Sequence, residues 1–93
     1  LAYTRGLARG LEELAIAAER QGHRATALRL AGGAAGLRQR TGLVPGADEV
    51  ARITPVIDRL RAGEDDRVWR NACDTDEASV LAIARAYVLG PSA

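Results

Sequence analysis

Few residues of this 93-residue chain carry chemistry by type alone. His23 is its only histidine and Cys73 its only cysteine. A zinc site draws on several such ligands at short spacing, so His23 reads as a turn residue without a metal role. Cys73 would act as a nucleophile only beside a base, and no histidine lies near it in sequence. It reads as a small side chain packed on the Trp69 face. The acids gather at Glu64, Asp65 and Asp66 and again at Asp74, Asp76 and Glu77. Both groups stand where a helix is expected to begin, and carboxylates there are explained by the helix dipole alone. No catalytic constellation emerges, so no enzyme, cofactor or metal is expected.

The basic residues give no stronger signal. All thirteen are arginine, twelve acids oppose them, and the formal net charge is +1. Arg24, Arg29, Arg38 and Arg40 could face phosphate, but a nucleic-acid binder shows a basic footprint that this balance lacks. They read as a solvated helix surface, and no direct nucleic-acid contact is expected. A lone cysteine excludes an internal disulfide and fits a reducing, cytoplasmic setting. No signal peptide is visible, and no apolar run approaches the ~20 residues that cross a bilayer. The chain starts at Leu1 and holds no methionine, which reads as a piece of something longer.

One motif needs an explanation. The stretch "LRLAGGAAGLRQRTG" places Gly32, Gly33 and Gly36 inside a helical pattern, where each glycine costs about 1 kcal/mol relative to alanine. A phosphate loop would follow a strand and, in the Walker type, carry lysine. Neither feature is present. Glycines that remain inside a soluble helix let a neighbouring helix approach closely, so Gly32, Gly33 and Gly36 are expected to be helix-packing residues. Trp69, in a chain with no Phe or Met, is expected to anchor the core.

The elements that position these residues are helical. Leu7, Leu11, Leu14, Ala15 and Ala18 recur at three and four, with Thr4 as the expected N-cap and Gly22 as the stop. Ala27, Leu30, Ala31, Ala34 and Leu37 repeat the pattern up to Gly42. The linker between these two segments is so short that they must form an antiparallel hairpin. "LVPGA" turns into a third amphipathic segment ended by Gly63, read either as one helix kinked at Pro55 or as two, with Thr54 capping a second short helix that starts at Pro55; the in-phase apolar stripe favours the single helix. Val68, Trp69, Ala72 and Cys73 mark a short fourth helix. Val80, Leu81, Ala84, Tyr87 and Val88 mark a fifth, with Asp74 and Glu77 as its capping pair and Gly90-Pro91 as its end. The fold class expected is all-α, about five helices, in one domain over 1–93. A hairpin over 4–42 is followed by a capping segment over 46–90.

Residues 8–41 resemble one degenerate tetratricopeptide (TPR) unit, a helical hairpin of about 34 residues. Its aromatic positions are absent and Gln39 stands where the pattern has proline. The pieces "LEELA" (11–15), "QG" (21–22), "RLAGGAAGLR" (29–38) and "TG" (41–42) are also similar to the last TPR hairpins of LuxR-type and SARP-type bacterial transcriptional regulators. Those proteins carry a STAND-class ATPase and a TPR array. The resemblance implies a non-enzymatic interaction or sensor module of α-solenoid type, with the ATPase and DNA-binding domains elsewhere in the chain. It implies protein partners, either preceding repeats or a second copy stacked through the Ala/Gly face of the second helix. It also implies a partner groove on the first helix at Arg9, Glu12, Ile16, Glu19 and Arg20. The alternative is a small stand-alone helical DNA-binding or dimerisation domain.

Overall fold

The hairpin forms where the apolar period and the glycines place it. The structure, a computed structural model, describes residues 2–90. α1 spans Ala2–Arg20 and α2 spans Arg24–Thr41. Gly22 joins them at a φ of 84°, a left-handed conformation that costs glycine little. Gly42 ends α2 at a φ of 71°, and its N–H donates to the Arg38 carbonyl. Thr4 does not cap α1. The helix runs from Ala2, so Thr4 lies within its first turn.

Three further helices follow: α3 (Ala47–Arg61), α4 (Asp66–Cys73) and α5 (Glu77–Leu89). α3 is one helix with Pro55 inside it. Pro55 faces solvent, where water can take the carbonyl left without its helical N–H. The Glu49 carboxylate folds back to accept from the Gly46 N–H at 2.8 Å. Asp65 caps α4 by accepting from the Arg67 N–H at 2.8 Å. The cap of α5 is Asp76, which accepts from the Ser79 N–H at 3.0 Å. Asp74 instead closes α4, because the break between the two helices falls two residues later than the acid spacing suggested. Gly90 ends α5, while Pro91 lies outside the described residues. No strand occurs among the described residues. The described residues are all-α, with five helices.

α2 is the central element, and each of the other four packs on it. Its row Ala27, Leu30, Ala31, Ala34 and Leu37 is buried as the period required. Leu11, Leu30, Leu60 and Val80 are the largest fully buried side chains, contributed by four different helices. Cross-helix bonds fix the directions. Glu13 pairs with Arg52 and Glu19 with Arg59, so α1 and α3 run parallel. Arg38 pairs with Glu49, while Arg24 reaches Leu60, so α2 runs antiparallel to α3. The radius of gyration is 12.3 Å, the value of a closed domain of this length. α4 and α5 close the side of α2 that α1 and α3 leave free.

Candidate interaction surface

The first-helix residues read as a groove do not form an open one. Glu12 and Ile16 are both 7% exposed, and Ile16 sits beside Ile53 and Val56 of α3. Glu19 is held by Arg59 through two bonds of 2.7 and 2.8 Å. Only Arg9 and Arg20 remain exposed. α3 lies along the face that a peptide would have used. The expectation of an open groove at Glu12, Ile16 and Glu19 is therefore corrected, because the chain's own third helix occupies it.

The centre of that contact is ionic. Arg38 donates from Nε and Nη2 to the two Glu12 oxygens at 2.8 and 2.9 Å, and from Nη2 to Glu49 at 3.1 Å. Arg38 is 6% exposed, which corrects its reading as part of a solvated surface. The paired carboxylates raise the Arg38 pKa above its ordinary value, the hydrogen bond that Arg38 donates to Glu12 contributing most. Glu49 is held below the usual carboxylate range, first by the Gly46 N–H and then by Arg38. The pair between Arg38 and Glu12 is bidentate, the geometry in which guanidinium and carboxylate bind best. No buried side-chain polar atom among the described residues lacks a partner.

Two other arginines of α2 are also consumed internally. Arg24 donates to the carbonyls of Arg59, Leu60 and Ala62 at 2.8 to 3.0 Å. Arg40 donates to the carbonyls of Cys73 and Thr75 at 3.0 and 3.2 Å. Each places a cation on the negative end of a neighbouring helix, α3 and α4 respectively. Arg29, also exposed, is the one of the four that makes neither a side-chain hydrogen bond nor an ion pair among the described residues.

The glycines of α2 pack as expected, though against this chain itself. A methyl group on Gly32 would overlap Ala72, one on Gly33 would overlap Val80, and one on Gly36 would overlap the Cys73 carbonyl. The Ala/Gly face is thus filled by α4 and α5 and is not open to a second copy. Trp69 is half-buried against the core, with the Arg61 guanidinium 5.3 Å from its ring centre. Burial raises the pKa of the Cys73 thiol, with Asp74 adding to the effect, so the sulfur is held in its less nucleophilic form. His23 is exposed and meets Tyr87 edge to face at 6.0 Å. No group of three metal-ligating side chains occurs among the described residues.

One open surface is largely apolar. Between the end of α2, the loop 43–46 and α3 lies a cleft of about 470 Å³. Val44 and Val50 on its rim are 82% and 42% exposed, and Leu43, Pro45 and Ile57 continue the surface. Sequence reasoning missed both this cleft and the buried triad. Glu12, Ile16 and Glu19 do recur at four and three, a period that signals a second packed edge on α1. No helix among the described residues is long and apolar enough to cross a membrane. No family model, no curated protein and no solved structure matches the chain.

Proposed function

We propose that the chain is a non-enzymatic protein-interaction module, the C-terminal helical part of a cytoplasmic bacterial transcriptional regulator. The observation that carries this reading is the arrangement of the first three helices. α1 and α3 run parallel, with α2 antiparallel to both. In helical-repeat arrays the first helices of successive units lie side by side in this way, each hairpin burying its apolar face on the next. α3 then stands as the first helix of a following unit, and α4 and α5 close the array over α2. The apolar cleft at Val44 and Val50 supports a protein partner, since contiguous exposed apolar surface marks contact sites. The arginines of α2 favour protein over nucleic acid, because Arg24, Arg38 and Arg40 are committed to internal bonds.

The test is the coding frame on either side of this segment. Further helical hairpins of about 34 residues and an upstream nucleotide-binding motif support the reading. A frame that opens just before Leu1 and encodes no such units overturns it. A mobility-shift titration gives a second check, with no retardation of duplex DNA by this segment as the expected result.

A further inference from the structure

α4 and α5 both pack on α2 and scarcely on each other. Ala72 and Cys73 of α4 lie against Gly32 and Gly36. α5 runs back along α2, with Val80 on Gly33 and the Tyr87 hydroxyl donating to Gln21 at 2.6 Å. Between them a strip of α2 near its start stays open. A cavity of about 740 Å³ stands over that strip and reaches the end of α3, a volume in the range of small-molecule sites. Four helices supply its apolar surface. Leu28, Leu60 and Ala72 are buried beneath it, Ile83 is half-buried at its wall, and Val68 is 37% exposed. At 3.6 residues per turn, Ala25 and Leu28 fall between Arg24 and Arg29 on the surface of α2. A cation therefore stands on either side of the apolar strip.

The two cations differ in what already holds them. Arg24 donates to three carbonyls at the end of α3, and its Nε lies 3.9 Å from the Glu64 carboxylate, which lines the same cavity. Its charge is met within the chain. Arg29 makes no such bond among the described residues. Asn71, across the cavity, uses its backbone carbonyl to accept from Thr75 at 3.1 Å, and its carboxamide stays available to a ligand. We propose that this cavity binds a small amphipathic carboxylate, with its anionic head on Arg29 and its apolar body on Leu28, Val68 and Ile83. The inference goes beyond the interaction reading above and does not rest on it. A guanidinium pairs with a carboxylate through two parallel hydrogen bonds, and one unmet cation matches one negative charge. A phosphate dianion fits less well, because Glu64 opposes the second charge. The apolar surface calls for a ligand with an apolar body, since a bare anion would leave it empty.

Titration of the full chain with octanoate, followed by proton–nitrogen correlation NMR, is the test. Saturable shifts are expected at the backbone amides of Arg29, Val68, Asn71 and Ile83. The dissociation constant is expected on the order of 0.1–1 mM for a ligand of this size. Octanol, which has the same tail without the charge, is expected to bind at least tenfold more weakly. Inorganic phosphate is expected to shift none of these amides. Arg29→Gln folds, since Arg29 makes no side-chain bond within the chain, and is expected to weaken octanoate at least tenfold. Ala25 is exposed on the cavity strip, so Ala25→Phe is expected to fill the space and abolish binding. Absence of saturable shifts up to about 10 mM octanoate overturns the proposal, as do shifts gathered around Val44 and Val50 instead. Undiminished binding by Arg29→Gln, or octanol binding as tightly as octanoate, overturns the assignment of the head to Arg29. Phosphate binding as tightly as octanoate overturns the amphipathic ligand. None of these results bears on the coding-frame test of the interaction reading, so the two can fail separately.

Discussion

Two glycine pairs share one spacing and have opposite surroundings. Gly32 and Gly36 lie in the middle of α2, and Gly6 and Gly10 lie in the first half of α1. A side chain on either α2 glycine would run into α4, whereas one on either α1 glycine would enter open space. The intrinsic penalty is the same for all four, about 1 kcal/mol each in a helix interior. On α2 the penalty is offset within the chain, because close packing leaves no room for a methyl group. On α1 no contact at those positions offsets it. The same glycine spacing therefore marks a close helix approach only where the rest of the molecule supplies a neighbour.

The largest expected effect comes from Arg38, which fixes α1 against α2 and α3. Arg38→Ala leaves Glu12 buried without its cation, a change that costs about 3–5 kcal/mol. Urea unfolding is expected to show that loss, and a variant within 1 kcal/mol of the parent would refute the triad's role. Gly36→Ala comes next. Its methyl group would press on the Cys73 carbonyl, which belongs to backbone and cannot rotate away. Overpacking of this kind costs about 1–3 kcal/mol, to be read as a lower thermal midpoint. Gly10→Ala has the opposite sign. It is expected to stabilise the chain by about 0.5–1 kcal/mol, and a destabilised variant would show that Gly10 has a contact within the chain.

Acid gives the smallest contrast, because exposed pairs contribute little. Glu19 is held below its usual pKa first by the Arg59 hydrogen bond, and Glu49 first by the Gly46 N–H. Their folded values are depressed, so the stabilisation they supply is present above the unfolded carboxylate pKa and is lost as pH falls through the folded value. Circular-dichroism melts from neutral pH to about pH 2 are expected to show a decline confined to that window. Repeating the series with Glu19→Gln should flatten part of it. The glycine seam between α2 and α4 is formed by Gly32, Gly36, Ala72 and the Cys73 carbonyl, none of which titrates there.

Much of the fold was legible in the sequence for local reasons. The buried row of α2 follows from its spacing, and the turns at Gly22 and Gly42 follow from the left-handed backbone that glycine adopts most readily. Pro55 did not split α3, because its apolar stripe at Ile53, Val56 and Leu60 is continuous and the proline faces water. Other features were illegible. Arg38 looks like the arginines around it, and only the approach of α1 and α3 buries it. Thr4 and Asp74 are both suitable caps, yet the helices begin elsewhere, since a cap forms only where the chain actually turns.

The sequence by itself determined the five helices, their stops and the need for a close approach at Gly32, Gly33 and Gly36. Those properties depend on periodicity and backbone conformation, which neighbouring residues set. Only the tertiary structure decided that α4 and α5 meet those glycines, that α3 covers Glu12 and Ile16, and that Gly6 and Gly10 stay bare. Which faces meet depends on how helices distant in sequence share a small core. An amphipathic pattern states that a face must be covered and leaves the covering element unspecified.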